Sequence, residues 1–184
     1  MKKTLFVILG LVILVGLYVG ATYNGLVTRN VTADTEWKQV ETEYQRRFDL
    51  IPNLVESVKG IMKQEQAIFT AIAEARTRYS GAVTTAEKAA AASQVESALG
   101  RLLVITENYP QLKSSDTVQS LMSQLEGSEN RVSVARIRFN NTVQSYNLKV
   151  MRFPSSMVAS MFGFDEREYF NATEGAEKAP EVKF

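Results

Sequence analysis

The sequence predicts an all-α protein in which an N-terminal transmembrane helix precedes an elongated bundle of three to four long antiparallel helices. Two observations predict this fold class. A long uncharged apolar stretch lies close to the N-terminus, and two later stretches carry apolar residues at a spacing of seven. Neither later stretch alternates apolar and polar residues with the period of two that a strand requires.

The apolar stretch follows Lys2 and Lys3 and runs from Leu5 to Tyr23 without a charge. At about 1.5 Å per helical residue it spans roughly 28 Å, close to the hydrocarbon thickness of a bilayer. We therefore predict that residues 1–23 form a membrane anchor. Its lipid-facing side chains are Leu5, Phe6, Val7, Ile8, Leu9, Leu11, Val12, Ile13, Leu14, Val15, Leu17 and Tyr18.

A cleaved signal peptide is the alternative, because Val19-Gly20-Ala21 offers small residues to a peptidase. The length of the apolar stretch and the tyrosines near its end favour a retained anchor. Lys2 and Lys3 lie on one side of the anchor, and Arg29 is the first cation on the other. The positive-inside tendency then predicts a cytoplasmic N-terminus and a bundle outside the cytoplasm.

Residues 24–170 are predicted to form the helical bundle. Apolar rows that repeat every seven residues lie on one helix face and pack as in a coiled coil. The first stretch carries the row Trp37, Tyr44, Ile51, Val58, Glu65, Ile72 and Tyr79, beside the row Glu41, Phe48, Val55, Met62, Phe69 and Arg76. The second carries Val118, Leu125, Val132, Phe139 and Tyr146, beside Met122, Glu129, Arg136, Val143 and Val150.

Helix ends are indicated by caps and prolines. Thr84–Glu87 fits a capping box, and Tyr109-Pro110 is expected to end the helix that it starts. Ser114, Ser115 or Asp116 is expected to cap the next helix, which Phe153-Pro154 stops after about 35 residues.

Pro52 leaves two arrangements open. The chain reverses there, or a kinked helix continues from the membrane to Tyr79; the surviving seven-residue register favours the kink. The last residues, 171–184, have the composition of a disordered tail.

Composition limits the chemistry. The chain has no Cys and no His, which removes thiol nucleophiles, Cys/His zinc sites and His-based catalysis. Lys and Arg number 21 against 20 Asp and Glu, without a basic run that a nucleic-acid binder needs. We expect no enzymatic activity, no cofactor, no metal and no nucleic-acid partner.

Four charged residues fall on the apolar rows: Glu65, Arg76, Glu129 and Arg136. Because an unpaired buried charge is costly, we expect them to form interhelical ion pairs that fix helix register. An ion or ligand site inside the bundle is the alternative.

The segment 153–164 is the most hydrophobic part outside the anchor. Packing within the bundle is the simplest interpretation, but methionine-rich apolar surfaces also bind partners or lie on bilayers. It is our candidate for joining one copy of the protein to another, through Phe153, Met157, Val158, Met161, Phe162 and Phe164.

These motifs resemble those of the LemA family. The resemblance extends from Tyr23 to Ala172 and rests on Tyr23-Asn24, Trp37, Arg46-Arg47-Phe48-Asp49-Leu50-Ile51-Pro52-Asn53-Leu54-Val55, Tyr109-Pro110, Glu129-Asn130-Arg131-Val132, Tyr146-Asn147, Phe153-Pro154-Ser155 and Phe162-Gly163-Phe164 with Tyr169-Phe170. It implies a single-pass bacterial membrane protein with a rod-like helical domain and no established enzymatic activity. Some members are associated with membrane remodelling around magnetosomes, and others are encoded near membrane proteases or envelope-stress genes.

We therefore expect a membrane-anchored scaffold that forms a homo-oligomer, or engages an envelope protein partner, to organise or remodel the bilayer. An adaptor or sensor that couples envelope state to a membrane protease or signalling protein is the alternative.

Overall fold

The structure is a computed structural model that describes residues 2–170, apart from the side chain of Lys113. Over this range it is helical and contains no strand, which confirms the predicted fold class. The helices are α1 (Lys2–Lys59), α2 (Gln66–Gly81), α3 (Thr85–Thr106), α4 (Pro110–Lys113), α5 (Asp116–Met151) and α6 (Ser155–Phe162). The predicted tail, residues 171–184, lies outside the described residues.

Helix α1 passes through Pro52, although Pro52 has no N–H to donate to the carbonyl of Phe48. The chain turns later, at residues 60–65. Gly60 has low helix propensity, and the side chain of Met62 in this turn is fully buried. The expected helix from the membrane to Tyr79 is therefore wrong, and so is a reversal at Pro52. The seven-residue spacing predicted one continuous helix because α2, after the turn, buries its apolar side chains at the same spacing.

Contacts divide the chain into two compact units. The first comprises residues up to Lys38 together with Arg138–Glu168. Within it α1 and α5 run antiparallel. The Trp37 ring packs at a tilt against the Phe139 ring, while Arg29, earlier in α1, donates a hydrogen bond to Ser145, later in α5. The core of this unit is a cluster of Leu26, Tyr146, Val158 and Ala159, against which Val19, Val150 and Phe164 pack.

The second unit comprises Gln39–Ile137 together with Tyr169 and Phe170. It holds the α2–α3 hairpin and the parts of α1 and α5 that pack on it. Its centre is aromatic: the ring of Phe48 lies 4.8 Å from Tyr79, and Tyr44 lies 5.3 Å from the same ring. Tyr44, Ile51 and Val58 of the first predicted row are buried here.

The helix caps explain most of the boundaries. The capping box is confirmed: Thr84 accepts from the Glu87 amide, and the Glu87 carboxylate accepts from the Thr84 amide at 3.0 Å. The Ser115 hydroxyl accepts from the Val118 amide at the start of α5. Helix α3 ends at Thr106, before the expected stop at Tyr109-Pro110, and Pro110 instead begins the short helix α4.

Candidate functional site

The N-terminal part of α1 exposes its apolar side chains. The predicted anchor residues from Leu5 to Tyr18 have between 40% and 71% of their surface exposed. This helix is long and apolar enough to cross a membrane, and no other helix in the described range meets that test. Val19 packs against the core of the first unit, so the part of the anchor before Val19 projects beyond that core.

Helix α6 packs directly beside the end of this exposed stretch. The ring of Phe162 lies 4.9 Å from that of Tyr23, and Phe164 lies 5.7 Å from it. Val158 and Ala159 fill the core of the unit, so Val158 is not a surface residue as the candidate segment required. Phe153, Met157, Met161 and Phe162 instead face outward.

The ends of α6 are fixed by hydrogen bonds. The Ser155 hydroxyl lies 2.7 Å from the carbonyl of Lys149 and 2.8 Å from that of Arg152, which ties α6 to the end of α5. At the other end Gly163 adopts φ +71°, and the Phe164 amide donates to the Ala159 carbonyl. A side chain at Gly163 would be strained in this left-handed conformation, so glycine ends the helix.

The segment after α6 is held by polar contacts to α5 and α1. The side-chain amide of Asn147 donates to the Arg167 carbonyl and accepts from the Arg167 amide, both at 2.9 Å. The Tyr146 hydroxyl donates to the Asp165 carbonyl, and burial raises the pKa of Tyr146. The Arg167 guanidinium pairs with Asp34 and bonds Asn30, both at 2.6 Å.

The second unit contains a partly buried network of charges. Arg136 pairs with Glu96, and Arg47 pairs with Glu129 and lies 3.7 Å from Glu96. The Tyr44 hydroxyl donates to Glu96 at 3.0 Å and accepts from Arg136. Two of the four predicted row charges, Glu129 and Arg136, therefore take part in ion pairs that join α5 to α1 and α3.

Aromatic rings enclose one end of this network. The guanidinium carbon of Arg136 lies 4.8 Å from the Phe170 ring and 5.2 Å from the Tyr44 ring, so it stacks on both. Burial and the Glu96 carboxylate raise the pKa of Tyr44, which keeps its hydroxyl protonated. Burial alone lowers the pKa of Arg136, but Tyr44 and Glu96 outweigh it and raise that pKa.

The other two row charges are placed differently. Glu65 precedes α2 at its N-cap position without a side-chain capping bond, and Arg76 lies half-buried on α2. Neither forms a salt bridge within residues 2–170, so the expectation that both are ion-paired is wrong. Their partial exposure lets water solvate both charges, which removes the need for a partner.

The carboxylates of the second unit make contacts between helices. In the part of the chain that the structure describes, no three Asp or Glu side chains converge as a metal site. Glu96 and Glu129 each form an ion pair with an arginine of another helix.

Comparison with known proteins decides the family. The model of the LemA family matches residues 36–184, about four-fifths of the chain. The chain belongs to the LemA family. The match includes the charge network and α6, and it begins after the apolar stretch of α1.

Curated relatives of this LemA protein include two that are named for the magnetosome. It is 27% identical to "Magnetosome protein MamQ" of Magnetospirillum gryphiswaldense, over 81% of this chain and 64% of the relative. It is 26% identical to "Magnetosome protein MamQ 2" of Paramagnetospirillum magneticum, over 80% of this chain and 64% of the relative. The chain therefore spans just under two-thirds of these relatives.

Sequence reasoning missed several residues that organise the LemA protein. In the sequence, Arg47 was recognised only as part of the LemA motif from Arg46 to Val55, and Tyr44 only as a member of an apolar row. Glu96 gave no signal, because α3 has no clear periodic row and its partner lies 40 residues away. Phe170 was recognised only within the LemA motif Tyr169-Phe170, and Arg167 not at all, because both follow α6, where helical periodicity carries no information.

Proposed function

We propose that this LemA protein is a non-enzymatic, membrane-anchored helical scaffold of the bacterial envelope. Copies self-associate, or engage an envelope protein, and so organise or remodel the bilayer that holds them. The orientation follows the positive-inside tendency, with the N-terminus cytoplasmic and the bundle outside the cytoplasm. The observation that carries the proposal is the exposed apolar stretch from Leu5 to Tyr18.

Small residues in this stretch support self-association. Gly16 and Gly20 are four residues apart and therefore share one face of α1. A side chain built at either glycine would meet nothing within 4 Å, so this face is open. In lipid, two helices with glycines at this spacing approach closely and pack through their backbones.

The second unit supports a structural role. Its buried charged groups are used in ion pairs between helices, which hold the helices in register. Two surface grooves in the described range, one beside Lys59 and Phe69 and one beside Asn24 and Thr142, are open to solvent. Their lining residues offer no nucleophile activated by a neighbouring base.

The relatives add support of a general kind. The two MamQ proteins are named for the magnetosome, and a role in organising a membrane would agree with that name. The chain spans 64% of each relative, so any function that depends on the remaining third of those proteins is not assigned to this chain.

The test is the mass of the full-length protein extracted in mild detergent, measured by light scattering with the detergent subtracted. A scaffold gives a species of at least twice the 20.5 kDa protomer. G16I/G20I is expected to reduce its size, while G10I leaves it unchanged, because Gly10 is equally open but lies outside the four-residue spacing.

A wild-type protein that stays at the protomer mass would contradict self-association. If crosslinking in cells then recovers one stable partner in a one-to-one complex, the adaptor or sensor function replaces the scaffold. If G16I/G20I assembles like the wild type, the scaffold function still holds, but the contacts between copies lie in the bundle rather than in the anchor.

A further inference from the structure

Helix α6 has an unusual surface for a helix outside a membrane. It contains no charged residue, and apolar side chains occupy both its inner and its outer face. Met157 is 64% exposed and Met161 72% exposed, and Phe153, just before the helix, is 80% exposed. An apolar patch of this kind on a soluble surface marks an interaction site.

The contacts of α6 show its position along the axis of α1. Phe162 and Phe164 pack on Tyr23, and Val158 and Ala159 share a cluster with Val19 and Leu26. The predicted anchor ends at Tyr23, so Phe162 and Phe164 pack at the level where α1 leaves the hydrocarbon. The interfacial layer outside the hydrocarbon is about 5–8 Å deep on each side of a bilayer. A bilayer that holds the anchor therefore brings its interfacial layer to the level of α6.

The charges around α6 are distributed as an interface requires. Lys149 lies in the last turn of α5, and the exposed Arg152 lies between α5 and α6. Basic side chains at this depth attract lipid phosphates. The segment after α6 carries acidic residues and runs away from the anchor. Its Arg167 contacts Asn30 and Asp34, which lie further along α1.

We propose that the outer face of α6, together with Phe153, is a second lipid contact that rests in the interfacial layer beside the anchor. The occupant of this surface is the bilayer rather than a second copy, because the patch adjoins a helix that is itself surrounded by lipid. The inference rests on the proposed anchor. Two contacts at different depths restrain the tilt of the first unit, which a single helix leaves free.

The experiment uses the full-length protein in vesicles of phosphatidylethanolamine and phosphatidylglycerol. Because the chain has no cysteine, M157C, M161C, V12C and N141C each carry one environment-sensitive fluorophore. All four positions are exposed, so the labels do not disturb the core. Quenching is measured with lipids spin-labelled near the headgroup, with lipids spin-labelled near the acyl-chain end, and with iodide in water.

The shallow lipid quencher is expected to remove most of the emission of the M157C and M161C labels, and iodide little of it. The V12C label reports the anchor and responds to the deep quencher. N141C is the matched control, exposed on α5 about three turns before the end of that helix and therefore further from the anchor, and responds to iodide alone.

Emission from M157C and M161C that iodide quenches as strongly as it quenches N141C would overturn the lipid contact, even when V12C confirms the anchor. Protection from both iodide and lipid quenchers would also overturn it, in favour of a protein partner or a second copy. Lipid quenching of M157C without that of V12C would keep the α6 contact and refute the anchor.

Discussion

Glu96 is the residue whose loss should weaken the second unit most, because it compensates two arginines. Its carboxylate pairs with Arg136, accepts from Tyr44 and lies 3.7 Å from Arg47. The Glu96 side chain is 22% exposed, and those of Arg136 and Arg47 are 16% and 8% exposed. E96Q keeps the shape and removes the charge, so the half-buried Arg136 loses its ion-pair partner.

Removal of one partner from a buried pair costs about 3–5 kcal/mol. Glu96 is partly exposed, and glutamine keeps one hydrogen-bond acceptor. We therefore expect E96Q to lower the free energy of unfolding by about 3 kcal/mol, the lower end of that range. The double variant E96Q/R136M should cost less than the sum of the single variants, by about 1–2 kcal/mol, because it also removes the uncompensated cation.

The assay is urea unfolding of the full-length protein in detergent micelles, followed by far-ultraviolet circular dichroism. E74Q is the matched control on a surface pair: Glu74 and Arg78 lie 3.7 Å apart on α2, and their side chains are 61% and 62% exposed. Its expected cost is at most about 0.5 kcal/mol. An E96Q cost as small as that of E74Q, or additive single and double variants, would refute a cohesive role for the network.

Three further predictions use the same unfolding assay. N147A should lower stability by about 2 kcal/mol, because the Arg167 backbone loses both partners, whereas the exposed N141A should change it little. F170A should cost about 3 kcal/mol as a buried ring is lost, and F153A, at an exposed site, much less; similar costs for the two would refute the packing of Phe170. Tyr44 has a raised pKa in the folded state, so its contribution to stability is present below its ordinary pKa of about 10 and declines as the pH rises above it. Y44F should therefore reduce the alkaline slope by up to about 1.4 kcal/mol per pH unit, and an unchanged slope between about pH 10 and 11 would contradict the shift.

The sequence predicts the helices of this LemA protein well where local physics decides them. The apolar periodicity locates the buried faces of α1 and α5, and the Thr84–Glu87 box marks the start of α3. The turn at residues 60–65 could not be read from periodicity, because the spacing of apolar residues is the same on both sides of it. Only the packing of α2 on α1 and α3 decides that the chain turns there.

The polar contacts were predicted in part. Charges on an apolar row indicate ion pairs, and Glu129 and Arg136 form them. The sequence does not show which distant residues are their partners. Glu65 and Arg76 show the limit of the pattern, because their exposure depends on where α2 begins and ends. The role of α6 depends likewise on its contact with Tyr23, which lies more than a hundred residues away in the chain.

The central claim, a retained apolar helix in the bilayer, is tested most directly by the intact mass of the protein in washed membranes. Membranes from cells that express the full sequence are washed with alkaline carbonate, and the protein that remains is measured by mass spectrometry. A retained anchor predicts one membrane-bound species near 20.5 kDa that still includes residues 1–23. A shorter product that starts near Thr22 and appears in the carbonate wash would contradict it.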